Sequence, residues 1–250
     1  MGATLPAIMS GSIRLFVSPS LAAGAEVAAS AAQAHYLAHV MRRTAGDAVV
    51  LFNGRDGEWQ ARIAMLRGDR ATLVAEACLR AQAPEADIWL AFAPLKRDAT
   101  DLVVQKATEL GAAALLPVTT ARTNTGRINA ERLAAIATEA AEQCERLTVP
   151  LIRPLADLPA LLREWPAERR LVVAMERVGA PTVAPADRPA GLLVGPEGGF
   201  TERELDVLRA HPFVVPASLG PLILRAETAA IVGLALLQAP CPAKHDGQTA

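Results

Sequence analysis

The chain has 250 residues, of which 52% are hydrophobic and 20% charged, and its formal net charge is −1. That balance excludes a disordered chain and leaves room for one large domain, or a small one beside a medium one. It also lacks the basic excess that many nucleic-acid binders carry, and aromatics at 4% argue against a single-strand binder that works by base stacking.

In chain order, MGATLPAIMSGS has no basic leader region and reads as a loose tail, with Met9 as an alternative start. Pro6 stands where a myristoylation motif needs Ser or Thr. IRLFV (13–17) is a strand candidate, and AAQAHYLAHVMR has helical spacing. AVVLFNG (48–54) and EWQARIAML (58–66) flank a glycine-marked turn, and RATLVAEACL (70–79) is a further strand. Residues 13–82 therefore read as a small β-barrel, and AQAPEAD (81–87) as a linker.

From residue 87 to 240 strands and helices alternate. DIWLAFA, AALLPV, RRLVVAM, GLLVG and FVVPAS are strands; DATDLVVQKATELG, NAERLAAIATEAAEQCERL (129–147), LPALLREW, TERELDVLRA and RAETAAIVGLALLQA are helices. Such alternation predicts a parallel sheet with helices on both faces, an α/β domain. The three cysteines, Cys78, Cys144 and Cys241, are far apart and fit reduced thiols of a cytoplasmic protein. No apolar run reaches membrane-spanning length.

Two loops carry candidate chemistry. In LLVGPEGGFTERE (192–204), Thr201 and Glu204 form a capping box, so Gly195 to Phe200 link a strand end to a helix start. The loop lacks the lysine of a phosphate loop and fails the dinucleotide pattern, and Glu197 would repel phosphate. A neutral or cationic ligand, such as an adenosyl group bearing a sulfonium, suits it; a tight connection without ligand is the other reading. The second loop, in SLGPLILRAETAA (218–230), follows the next strand and would line the same pocket, because ligands of open α/β sheets sit at strand carboxyl ends. Arg225 opposes the dipole of the apolar helix it opens; this is explained by function, or by a structural pair with Glu227. His35 and His39 are four apart but no third ligand is near, so no metal is expected.

LLVGPEGGFTERELDVL followed by LGPLILRAETAAIVGLALL resembles the RsmE family, the 16S rRNA (uracil-N3)-methyltransferases of the SPOUT class. RLFV with HYLAHVMRRTAGDAVVLFNGRDGEW is similar to that family's PUA-like RNA-binding domain, and LAFAPLKRDATDLVVQKATELGAAALLPVTTART and EAAEQCERLTVP to its middle motifs. The resemblance implies an N-terminal PUA-like barrel, a C-terminal SPOUT α/β domain with a deep trefoil knot, bound S-adenosyl-L-methionine and a homodimer. It implies as substrate a uridine near the 3′ end of 16S rRNA in the small ribosomal subunit. The family usually has Arg where this chain has Leu222.

On this resemblance the cofactor site is assigned to Met175, Val194, Gly195, Pro196, Glu197, Gly198, Gly199, Ser218, Leu219, Gly220 and Leu224. Catalysis is assigned to Arg225, which would stabilise a uridine anion, with Glu142 as a candidate base that could instead pair with Arg146. Glu227 lies about 200° from Arg225 if both are helical, and is assigned to holding the knot or the partner. RNA contacts are expected from Arg14, His35, Arg42, Arg43 and Arg122. Two alternatives remain: methylation at another rRNA or tRNA site, and a non-catalytic RNA-binding assembly factor.

Overall fold

A computed structural model describes residues 12–175, 180–186 and 189–239 of the chain. The two tails read from the sequence, up to residue 11 and beyond Ala239, lie outside the described residues, as does Cys241. The chain divides into two units, Met1–Pro84 with Thr138–Val149, and Glu85–Ala137 with Pro150–Ala250.

The first unit is a five-stranded mixed sheet. β1 (Arg14–Phe16) pairs in parallel with β3 (Ala48–Phe52), which runs antiparallel to β4 (Glu58–Arg67); β4 pairs with β5 (Arg70–Arg80), and β2 (Glu26–Ala28) closes the far edge on β5. Alternate side chains Leu15, Val49, Leu51, Ala61, Ile63, Leu73 and Ala75 form the core with Leu37. The β3–β4 turn is built by Gly54 and Gly57, both at positive φ, and by Asn53, which donates to Asp56 at 2.7 Å. Gly57 has no alternative there, because a Cβ would lie 2.2 Å from the Arg80 carbonyl oxygen.

The centre of this unit is charged. Glu58, fully buried, accepts from Arg14 Nε at 2.7 Å and from Arg80 Nε at 2.6 Å. Arg14 also donates to the carbonyls of Ala141, Glu142 and Arg146 at 2.8, 2.9 and 2.7 Å, and its guanidinium stacks over Phe52. The expected RNA contact of Arg14 is therefore corrected. Its side chain is 4% exposed and its donors are spent inside the unit.

Those contacts also change the reading of helix 129–147. α3 (Ala130–Gln143) ends four residues early, where Glu145 takes a left-handed φ of 60° and Arg14 donates to the last carbonyls. Its final residues group with the first unit rather than the second, which the local sequence pattern could not indicate. α1 (Ala31–His35) starts at a Ser30/Gln33 capping box and continues as a wider π-helical turn over Tyr36–Val40, ending at Arg42 with φ 51°.

The second unit is a parallel sheet. Its strands are β6 (Ile88–Phe92), β7 (Ala114–Thr119), β8 (Leu151–Ile152), β9 (Ala156–Asp157), β10 (Arg170–Ala174), β11 (Ala190–Val194) and β12 (Val214–Ala217). They lie in the order β12-β10-β11-β6-β7-β8, with β9 also on β7. α4 (Leu158–Glu164) and α5 (Glu202–Arg209) bury Leu158, Leu161, Leu162 and Leu208 against Ala91, Leu116, Leu171, Val173 and Leu193. α2 (Arg97–Glu109) and α6 (Ala226–Gln238) pack together, and α6 crosses β6 and β11. Two glycines make these approaches. A Cβ on Gly191 would strike the Trp165 ring at 2.4 Å, and one on Gly233 would lie 2.5 Å from Leu192 Cδ2.

The chain after β10 returns beside the end of β12 and the end of α6. Ser218 N donates to Pro181 O at 2.9 Å, Val183 N to Ser218 O at 3.1 Å, and Ala186 N to Leu237 O at 2.8 Å. Residues 176–179 and 187–188 of this segment lie outside the described residues.

Candidate cofactor site and RNA-facing residues

Neighbouring strands β11, β10 and β12 all end at one edge, and three segments leave them. Gly195 to Thr201 leads from β11 into α5, Met175 follows β10, and Ser218 to Arg225 leads from β12 into α6. Between these segments lies a cavity of about 610 Å³. Ten of the eleven residues assigned to the cofactor line it: Met175, Val194, Gly195, Pro196, Glu197, Gly199, Ser218, Leu219, Gly220 and Leu224. Arg225, Ala226 and Ala229 line it from the α6 side.

The loop geometry follows from its sequence. Gly199 N donates to Pro196 O at 2.8 Å, closing a turn that leaves Gly199 at φ 67°. Gly195 lies where a Cβ would come within 3.1 Å of the Phe200 ring. Thr201 and Glu204 form the capping box read from the sequence, with Thr201 N donating to Glu204 Oε2 at 2.8 Å. Across the cavity Gly220 takes φ 129°, and its N–H and the Ser218 hydroxyl are 3.2 Å apart. Gly198, the eleventh assignment, is corrected. It does not line the cavity, because its Cβ position faces the Arg122 side chain at 3.2 Å.

Residues 82–238 match the family description "RNA methyltransferase domain", and residues 30–76 match "RNA methyltransferase PUA domain". The ribosomal RNA small subunit methyltransferase E of Rickettsia conorii is 32% identical over 233 residues, covering 89% of this chain and 93% of that protein. The chain belongs to the ribosomal RNA small subunit methyltransferase E family. The member from Synechocystis is 34% identical, covering 90% of this chain and 77% of its own. Among solved structures, a Legionella pneumophila putative methyltransferase in complex with S-adenosylmethionine superimposes with TM-score 0.81 at 30% identity, over 91% of this chain and 97% of that one. A Neisseria gonorrhoeae ribosomal RNA small subunit methyltransferase E bound to S-adenosylmethionine gives 0.80 at 27% identity, over 90% and 95%. The SPOUT-class fold with a PUA-like first unit is thereby established.

The donor set suits the cofactor of these methyltransferases. A cavity of about 300–1,000 Å³ with mostly apolar walls and few polar groups is the usual small-molecule site. Here Met175, Val194, Leu219, Leu224 and Ala229 supply apolar walls, the glycines expose backbone, and Glu197 is the loop carboxylate. An adenosyl group bearing a positive sulfur fits such a lining, whereas a nucleoside triphosphate would face an acidic loop.

Arg225 is not helical. With φ −64° and ψ 155° it is the residue just before α6, so the angular argument separating it from Glu227 does not apply. Its side chain makes no capping bond and is exposed at the cavity rim, at the positive end of the helix. Glu227 sits in the first turn, where an acidic group favours the helix dipole.

The remaining family-based assignments fall in different places. Glu142 belongs to the first unit and accepts the Phe16 N–H at 2.9 Å. Burial pushes its carboxyl up, against the opposing pull of that hydrogen bond and of Arg14. The early end of α3 breaks the i,i+4 relation with Arg146, and that arginine donates to Thr148 at 2.9 Å. Glu142 thus ties α3 to β1. His35 is the last residue of α1, and Arg42 and Arg43 follow its π-helical extension. His35 and Arg42 are exposed, His35 stacks on His39 at 4.6 Å between ring centroids, and among the described residues Arg43 Nε has no hydrogen-bond partner. A wide turn ending in a left-handed non-glycine residue is costly for structure alone, and such turns recur at functional sites. Arg122 donates from Nη1 to the Gly198 and Phe200 carbonyls at 2.6 and 3.4 Å. No sequence signal indicated that partner, 76 residues away.

Proposed function

We propose that the chain transfers the methyl group of S-adenosylmethionine to N3 of a uridine in 16S rRNA of the small ribosomal subunit. The observation that carries this reading is the cavity shared by GPEGGF and SLGPLILR, with Arg225 at its rim. When bound, S-adenosylmethionine supplies an electrophilic methyl carbon. The protein's own contribution is then positioning and charge stabilisation. Uracil N3 carries its proton between two carbonyls, and loss of that proton to solvent water places charge on O2 and O4. The Arg225 guanidinium, a planar fork that keeps its proton, donates to those oxygens. Glu197, Met175 and the glycine backbones hold the donor. His35, Arg42 and Arg43 give the PUA-like unit its contacts to RNA phosphate.

Purified protein incubated with S-adenosylmethionine and small subunits lacking the modification is expected to yield 3-methyluridine on nucleoside mass spectrometry. Methyl on a ribose oxygen, or on tRNA, would contradict the assignment. RNA binding without any methyl transfer would favour the assembly-factor reading.

The family resemblance further supports a cytoplasmic homodimer. Leu222 and Ile223, 76% and 61% exposed beside the cavity, are the apolar side chains such an interface would cover. Sedimentation equilibrium is expected to return twice the chain mass, and a monomer would overturn this. Among the described residues no helix is long and apolar enough to cross a membrane.

A further inference from the structure

The loop between β7 and α3 has no role in the function proposed above, yet it holds the glycine loop from outside the cavity. Thr120 N donates to Thr123 Oγ1 at 2.8 Å, which folds residues 120–123 into a tight turn. From that turn two latches reach over. Arg122 Nη1 bonds the Gly198 carbonyl at 2.6 Å and the Phe200 carbonyl at 3.4 Å. The Ala121 N–H donates to Glu204 Oε1 at 2.7 Å, while Oε2 of the same carboxylate receives Thr201 N. Glu204 is thus shared between the helix cap and the turn. Despite burial, which raises it, hydrogen bonds from Thr201 and Ala121 and the charge of Arg122 hold its carboxyl below the usual range.

We propose that Arg122 is a positioning residue for the cofactor loop, holding the backbone of Gly198 and Phe200 in the shape that receives S-adenosylmethionine. The inference rests on the methyl-donor reading of the cavity. Gly195 and Gly199 give the loop conformational freedom, and freedom lost on binding weakens affinity unless it has been removed beforehand. A charge-assisted bond to a carbonyl is the stronger kind, and this one clasps the loop on the side facing away from the ligand. Gly198 has its own reason to be glycine here, since a Cβ would press on Arg122 Cδ at 3.2 Å.

The test is calorimetric titration of S-adenosylmethionine into the full chain as wild type, R122A and R122K, with urea unfolding of each. Arg122→Ala is expected to bind about tenfold more weakly. Arg122→Lys, with one compact donor group in place of the fork, falls between the two. The unfolding midpoints are expected to stay together. An R122A protein that binds like wild type would overturn the clasp alone. Should R122A fail to fold, R122K decides: weaker binding supports the clasp and unchanged binding overturns it. A folded wild type that does not bind at all would overturn the methyl-donor reading, and the clasp with it.

Discussion

Arg225→Ser is expected to lower the rate of methyl transfer to small subunits by about 10²–10³-fold, the usual cost of losing one charge-stabilising donor. The same substitution is expected to stabilise the protein, by about 1 kcal/mol, because serine at a helix N-cap bonds a free backbone N–H that arginine leaves unbonded. Arg225 occupies that position without capping, at the helix end where its charge is least welcome. Opposite signs in the two measurements separate function from structure, since a structural arginine would lose both together. Single-turnover methylation and urea unfolding on one preparation are sufficient. S-adenosylmethionine affinity is expected to change little, because the proposed role of Arg225 is toward the uridine oxygens. A rate equal to wild type would remove Arg225 from catalysis.

Glu58→Gln is expected to destabilise the protein by about 3–5 kcal/mol, the range for breaking a buried ion pair by removing one partner. Glutamine keeps the shape and leaves Arg14, 4% exposed, without its countercharge. The pH dependence has a definite sign. Burial raises the Glu58 carboxyl, but the hydrogen bonds and charges of Arg80 and Arg14 outweigh it, and its pKa in the fold lies below the ordinary 4.5. A carboxyl lowered on folding contributes stability that is fully present above that ordinary value. The contribution is lost as the pH falls through the lowered one. Urea midpoints of the wild type are therefore expected to fall in acid below about pH 4.5 more steeply than those of Glu58→Gln. Equal midpoints for the two proteins at neutral pH would show that the buried triad is not what holds this unit together.

What could be read from the sequence was what is local. The capping box at Thr201 and Glu204, the alternation of β and α after residue 87 and the two glycine loops are short-range patterns, and each appears where the spacing placed it. Which strand neighbours which is not local. Only the sheet order shows that β10 lies between β11 and β12, and so why Met175 joins the loops. Arginine was the least legible residue. Arg14, Arg122 and Arg225 look alike in sequence, yet one is buried on Glu58, one clasps a backbone loop and one is exposed at the cavity rim. Their partners lie 44 or more residues away for the first two, beyond any periodicity. Gly198 fails for a related reason. Its Cβ position faces Arg122 while Glu197 and Gly199 line the cavity, and spacing alone does not set which way each residue of a turn faces.

On the proposed function, the cavity between the two glycine loops is the methyl-donor site. Ala229 on α6 lines this cavity, and leucine there keeps helix propensity while filling the space. Titrating S-adenosylmethionine into wild type and Ala229→Leu by calorimetry is the most direct measurement. The prediction is one site per chain for the wild type and no detectable binding for the variant, with both folded. Equal binding by the two proteins would place the methyl donor somewhere other than this cavity.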